Sequence, residues 1–235
     1  MRIAGWSGPR NLSTAMMYAF AARPDFAVLD EPFYGAYLQA SGVDHPMRDA
    51  VLASMSCDPA AAARQCARNG SPHVYQKHMI HHMLDGFPLD WCAGAAQVFL
   101  IRHPARVVAS YAARRERATP ADLGFERQWD LFRRLCDAGH DPVVISSEGI
   151  RADPRAALAA LCAAIGLPFD PAMLGWAPGG IAQDGVWAAH WYGSVHTSTG
   201  FAGVEGPVPV LDDAGAALAA LGMPAYERLL ERALA

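Results

Sequence analysis

The sequence of 235 residues predicts an α/β fold: three layers, with a central, mostly parallel sheet flanked by helices. Three observations lead there. Short apolar runs alternate with helix-like stretches along most of the chain. The first of these runs passes through Gly5, Ser7, Gly8, Pro9 and Arg10 straight into a helical segment, a strand–loop–helix unit. Hydrophobic residues make up 52% of the chain and charged residues 18%, which is enough for a substantial core and too little charge for long disorder.

Each element has its own signal. Residues 2–6 form a short apolar run bounded by glycine, the pattern of a buried strand. Residues 13–22 have helical composition, with Met16, Met17 and Phe20 on one face. A second apolar run, 26–29, ends in "LDEPF". Residues 43–70 read as two helices split at Asp58-Pro59, with Asp58 as N-cap, Pro59 at the first helical position and Gly70 as the stop. "HVYQKH" has strand character, and 97–101 is the clearest strand, ended by Pro104, which opens the next helix. That helix runs into "RRER", 114–117, read as a solvated end, with Arg114 a weak candidate to reach a nucleotide. A further helix is amphipathic through Phe125, Trp129, Phe132 and Leu135. "DPVVISS" is a strand; the helix after it has Asp153 as cap, Pro154 at its first position and Gly166 as terminator. Residues 180–209 show little periodicity but carry Trp187, Trp191 and Tyr192, so a long aromatic loop over the site is expected, with an ordinary small core as the alternative. A helix at 212–235 closes the chain, with a break expected near Gly222-Met223-Pro224. The length fits a single domain over 1–235.

The net charge of −4 argues against nucleic acid or an anionic membrane as main partner. Five dispersed cysteines without a CxxC pair read as reduced thiols. With no secretory pattern and no apolar run near the roughly 20 residues that span a bilayer, the expectation is a cytoplasmic protein.

The first loop has the grammar of an anion cradle. A helix N-terminus offers unpaired N–H groups and the positive end of the helix dipole. Gly5 and Gly8 are expected to allow unusual dihedrals and close backbone approach, Ser13 and Thr14 supply hydroxyls, and Arg10 adds a permanently charged fork. This is not the Walker pattern, which needs Gly-Lys-[Ser/Thr], and Asp30 is a poor match to its acidic partner motif. The plain alternative is a Gly/Pro turn capped by Ser13. Arg102, at the carboxyl end of the best strand, and Ser110, eight residues on, could clamp a second phosphate where ligands gather in open α/β sheets; the plain alternative is a surface salt bridge of Arg102.

Together these two segments resemble the sulfotransferase family that uses 3′-phosphoadenosine 5′-phosphosulfate (PAPS). Arg102, Pro104, Ser110 and Tyr111 match the family's 3′-phosphate segment, and "VVISSEGIRADPRAALAALCAAIGLPF" is similar to its strand, acidic turn and Asp-Pro helix. "WSGPRNLSTAMMYAF", "LDEPFY", "KHM", "LIRHP" and "DGVWAAHWYGSVHTSTGF" look like the sulfotransferase-like segment of branched-chain aminotransferase-like proteins. The resemblance implies a P-loop NTPase-like (sulfotransferase) topology, PAPS as donor, 3′,5′-adenosine bisphosphate as product, and no metal. Gly8, Pro9, Arg10, Asn11, Leu12, Ser13 and Thr14 would hold the 5′ end, and Arg102 and Ser110 the 3′-phosphate. Ser198, Thr199 and Gly200 would replace the family's missing Arg-Lys-Gly signature. The family's usual loop lysine is Arg10 here, which neutralises charge but cannot shuttle a proton.

The acceptor must lose a proton, and the resemblance offers two bases, Glu31 in "LDEPF" and His78 in "YQKHM". Glu31 could instead cap a helix or pair with Arg10. His78 with His81 and His82 has a spacing that a metal could use, although only Asp85 offers a carboxylate nearby. Phe33, Lys77, Trp187 and Trp191 are the expected acceptor contacts. The leading expectation is an enzyme acting on a small-molecule acceptor, with no nucleic-acid or membrane partner, as a monomer or homodimer. The rivals are a P-loop kinase or nucleotide phosphotransferase, and a non-catalytic nucleotide-binding module.

Overall fold

Five parallel strands form one sheet in the order β2-β3-β1-β4-β5: β1 (Arg2–Ser7), β2 (Phe26–Asp30), β3 (His73–Met79), β4 (Ala96–Ile101) and β5 (Val143–Ser146). The computed structural model describes residues 1–68, 73–113 and 118–234. The strands are continuous apolar runs because both of their faces are covered, as in all-parallel sheets generally. Register places Trp6 beside His78, and Asp30 and Gly5 beside Lys77. The helices are α1 (Ser13–Ala21), α2 (Tyr34–Ser41), α3 (Arg48–Ser54), α4 (Pro59–Cys66), α5 (Pro104–Ala112), α6 (Pro120–Leu123), α7 (Phe125–Asp137), α8 (Ser147–Ala152), α9 (Pro154–Ala164), α10 (Ala188–Trp191), α11 (Gly193–His196) and α12 (Asp213–Leu230).

Strand alternation divides the core in two. Ile3, Tyr75, Val98 and Leu100 pack with Met16, Met17 and Phe20 of α1 and Leu158 and Leu161 of α9. Ala4, Trp6, Phe99 and Ile101 face the other way, toward Leu131, Phe132 and Leu135 of α7 and Leu229 of α12. Burying each of these large side chains contributes roughly 1.5–3 kcal/mol. The sheet therefore stands as a rigid platform whose carboxyl edge carries the loops.

The expected strands and the split at Asp58-Pro59 are present. Asp58 accepts from the N–H groups of Ala60 and Ala61, and Asp153 caps α9 through Ala156. The Gly70 stop and the "RRER" helix end lie outside the described residues. Two elements depart from the sequence reading. Helix α2 has no strong sequence signal because Gly35 lowers local propensity. A Cβ at Gly35 would lie 2.8 Å from Met55 Cγ and 3.0 Å from the Ser56 carbonyl, so close packing requires the glycine. Helix α12 runs unbroken through Pro224. Its contacts with α5 and α7 hold it, and a Cβ at Gly222 would meet the Phe125 ring at 2.3 Å. The segment 180–209 contains α10 and α11 and is pinned by an antiparallel bridge between Gly175 and Gly200.

Candidate active site

The loop between β1 and α1 builds its cradle from strained non-glycine residues. Arg10 and Leu12 are left-handed, with φ of 64° and 63°, each at a cost of roughly 1–2 kcal/mol. Gly5 and Gly8 are not left-handed, contrary to the dihedral expectation; the expected close approach is what requires them. A Cβ on Gly5 would sit 2.1 Å from the Tyr75 hydroxyl, and one on Gly8 would sit 2.9 Å from the Leu123 carbonyl. Left-handed residues in alternation gather neighbouring N–H groups into a concave nest that suits an anion. No side chain caps α1, so the plain reading of Ser13 as a cap does not hold. The loop is braced from three sides: Asn11 Nδ2 donates to the Leu100 carbonyl at 3.2 Å, Ser147 Oγ to the Asn11 carbonyl at 3.0 Å, and Arg102 Nη1 to the Arg10 carbonyl at 2.8 Å.

The two arginine-bearing segments therefore meet on one rim. Arg10 Nε also donates to Ser110 Oγ at 2.9 Å. Between them lies a cavity of about 210 Å³ lined by Arg10, Asn11, Leu12, Ser13, Thr14, Arg102 and Ser110, and closed by Ser198, Gly200 and Phe201. Gly8 lies beneath the loop. Thr199 is exposed and uses its carbonyl to accept the Trp176 N–H at 3.1 Å.

A second cavity, about 100 Å³, adjoins the first and shares Arg10, Ser13, Thr14, Trp191 and Tyr192 with it. Pro9, Glu31, Tyr34, His45, Lys77 and His82 are among the other residues of its wall. Lys77 is 1% exposed and is the hub of a buried polar cluster. Its Nζ donates to Asp30 Oδ1 at 3.1 Å, to the Tyr192 hydroxyl at 2.5 Å, and to Glu31 Oε1. Tyr192 in turn donates to Asp30 at 2.8 Å. Burial pulls the Lys77 pKa down, but the Asp30 and Glu31 carboxylates outweigh it and the net shift is upward. Burial pushes Glu31 above the usual carboxylate range, with Asp30 adding to the rise and Lys77 opposing it. Burial, then Asp30 and Glu31, hold the Tyr192 hydroxyl neutral. Glu31 is itself left-handed, with φ of 45°, a further strained residue at the same site.

Besides Gly8 and Thr199, which line neither cavity, the expected base His78 and the expected acceptor contacts Phe33 and Trp187 are not brought to the site. His78 points to the opposite face of β3, stacked on Trp6 with ring centroids 4.6 Å apart and 4.8 Å from Trp91. Phe33 is in that same aromatic core, its ring centroid 5.9 Å from Trp91. Trp187 is buried behind the second cavity, where its Nε1 donates to the Tyr192 hydroxyl at 3.0 Å. Trp191 does line both cavities. Arg114 lies outside the described residues. Among the described residues, no three His, Cys, Asp or Glu side chains are grouped to hold a metal ion.

The aromatic segment is tied to the sheet by charge. Asp184 accepts from the Tyr18 hydroxyl at 2.6 Å and lies 3.0 Å from His196 Nε2, while the Gly185 N–H donates to Asp30 at 3.1 Å. Sequence reasoning did not place Tyr34, His45 or Ser147 at the site, nor Arg106, Arg151 and Glu205 on its rim. Only Arg106 had a usable signal, one helical turn beyond Arg102.

A family model described as "Sulfotransferase domain" matches residues 1–233. Two Arabidopsis thaliana proteins, branched-chain-amino-acid aminotransferase-like proteins 2 and 1, are 37% and 38% identical to this chain over 204 residues, 85% of it. The chain spans only 36% of the length of those relatives. Among solved structures, the sulfotransferase domain from the curacin biosynthetic pathway aligns with a TM-score of 0.53 at 16% identity, covering 93% of this chain and 96% of that one. A sulfotransferase from Alicyclobacillus acidocaldarius aligns with 0.52 at 15% identity, covering 99% and 96%. At that identity these two likenesses speak for the fold. No helix among the described residues is long and apolar enough to cross a membrane.

Proposed function

The chain belongs to the sulfotransferase-domain family, and from that premise we propose that it moves a sulfuryl group from PAPS to a hydroxyl or amine of a small-molecule acceptor. The observation that carries the reading is the shared wall: Arg10, Ser13 and Thr14 face both the anion cavity and the smaller cavity that holds Glu31. The residues suit an anionic donor, because the nest, Arg10 and Arg102 all converge on one rim. When bound, PAPS supplies a sulfuryl group already activated by its phosphate leaving group, so the protein's task is placement and charge stabilisation.

Arg10 and the loop N–H groups stand where charge on the 5′-phosphate side would be taken up. Arg102 and Ser110 fix the far end of the nucleotide. We assign the base to Glu31, since it lines the smaller cavity and its raised pKa gives it more proton affinity than an ordinary carboxylate. Lys77 orients Glu31 and Asp30, and Tyr192 locks Asp30, so the base is held by fixed hydrogen bonds. Trp191 and Tyr192 shield the transfer from water.

Calorimetry tests the donor assignment. The expected result is binding of 3′,5′-adenosine bisphosphate, weakened about 10- to 100-fold by Arg102→Ala, the range for one charge-assisted hydrogen bond. Equal or tighter binding of ATP-Mg²⁺ sinks this reading in favour of a kinase. Transfer of radiolabelled sulfate from PAPS into a metabolite extract then separates an enzyme from a nucleotide-binding module.

A further inference from the structure

Three arginines from three different elements converge beside the anion cavity: Arg102 at the end of β4, Arg106 in α5 and Arg151 in α8. One carboxylate sits among them. Glu205 Oε1 accepts from Arg102 Nη2 at 2.5 Å and from Arg151 Nη1 at 2.6 Å, and its Oε2 lies 3.0 Å from Arg106 Nε. The Glu205 side chain is only 5% exposed, although it belongs to irregular chain whose neighbours Val204 and Val210 are 73% and 99% exposed. The same stretch is held by backbone contacts to these arginines: Arg106 Nη2 donates to the Gly206 carbonyl at 2.7 Å and Arg151 Nε to the Gly203 carbonyl at 2.8 Å.

The fit is incomplete in an informative way. Among the described residues, the Nε atoms of Arg102 and Arg106, and Glu205 Oε2, are buried without a hydrogen-bond partner. Arg106 Nε is within ion-pair distance of Oε2 but off the hydrogen-bonding direction. The planar carboxylate turns one oxygen to two of the forks and leaves its other oxygen and Arg106 Nε without a hydrogen bond, whereas a tetrahedral phosphate monoester presents three oxygens in three directions. Charge gives the same answer. Three guanidinium groups face Glu205 and Glu148, the latter 3.6 Å from Arg106 Nε. The cluster is +1 with Glu205 in place and +2 without it, the complement of a phosphate dianion.

We propose that Arg102, Arg106 and Arg151 form one seat for a phosphate monoester, that Glu205 is its internal occupant, and that an incoming phosphate displaces Glu205 and lifts residues 202–210. If the sulfotransferase reading holds, on which this identification rests, the phosphate is the 3′-phosphate of the donor. Binding then opens the strap, and nucleotides lacking that phosphate leave it shut. Selectivity for a 3′-phosphate would come from the need to outcompete a built-in carboxylate.

The test compares the unaltered protein with Glu205→Gln by calorimetry, using 3′,5′-adenosine bisphosphate, 5′-AMP and inorganic phosphate. The expected result is bisphosphate binding at least about tenfold tighter in the variant, with 5′-AMP unchanged. Equal or weaker bisphosphate binding in the variant makes Glu205 a strut and overturns the proposal, while leaving the donor reading intact. If neither protein binds bisphosphate but the variant gains inorganic phosphate, the seat stands and the donor reading falls. If neither ligand binds either protein, both fall. Should the variant not fold, hydrogen exchange on the unaltered protein decides: bisphosphate is expected to speed exchange at 202–206, and slowed or unchanged exchange there overturns the displacement.

Discussion

Lys77 and His78 are adjacent in β3 and live in different chemical worlds. Lys77 faces the smaller cavity, keeps its charge and binds Asp30, Glu31 and Tyr192. His78 faces the aromatic core between Trp6 and Trp91, where burial pushes its pKa down to about 3, helped by the Lys77 charge. Both are buried and both can carry a proton, so residue type and burial do not separate them. The pleat does: successive side chains in a strand point to opposite faces. Position along the strand end made both candidates, and one residue of register decides which meets the chemistry.

The largest effect expected on either face comes from Lys77→Met. It leaves two carboxylates buried without their cation, and breaking a buried pair typically costs about 3–5 kcal/mol. Urea unfolding at neutral pH is the measurement, and sulfuryl transfer should be lost with it. Adding Asp30→Asn should recover part of the stability, because one of the stranded charges is gone. A Lys77→Met protein as stable as the parent would mean that the cluster is not held by charge, and the contrast between the faces would lose its basis.

Next in size is Glu31→Gln, which keeps the shape of the cluster and removes the proposed base. Transfer should fall about 10²- to 10⁴-fold, the usual range for general-base catalysis, with the fold retained. The sign of the pH dependence follows from burial. A base must be deprotonated to work, and Glu31 is pushed above the ordinary carboxylate range. The unaltered enzyme should therefore lose activity as pH falls through a value higher than that of a solvent-exposed glutamate, and the residual rate of Glu31→Gln should lack this acid limb. An unchanged rate in the variant removes Glu31 from the role.

The ease of reading the sequence followed the range of the interactions. Strands were legible because a doubly covered parallel strand is a continuous apolar run, and the caps Asp58 and Asp153 act within three residues of themselves. Helix α2 was hidden because Gly35, a helix-weakening residue, is fixed by contact with Met55 and Ser56 some 20 positions away. At the candidate site, Arg10 and Arg102 could be placed from the loop and strand end that carry them, and Glu31 and Lys77 from strand ends together with the family resemblance. His78 and Phe33 were drawn in by the same logic, and Trp187 by composition, because side-chain direction depends on register and packing. Glu205 was out of reach: its three arginines stand at 102, 106 and 151, and nothing local to "GVEGP" announces them.

The smallest effect is the one that isolates the dry face. His78→Phe keeps an aromatic ring between Trp6 and Trp91, and activity should stay within about twofold. Its mark should appear in acid. In the folded protein His78 stays neutral down to about pH 3, while in the unfolded chain it takes up a proton near its ordinary pKa of about 6.5. Between those values the unfolded state binds more protons, so this residue's contribution to stability is lost as pH falls. One such group adds up to about 1.4 kcal/mol per pH unit to the acid slope. Urea midpoints measured from pH 6.5 to 4 should therefore fall less steeply for His78→Phe than for the parent. Should the slopes coincide while transfer drops instead, the imidazole would be working on the site side of the sheet, and the division of β3 into a reactive and a dry face would have to be abandoned.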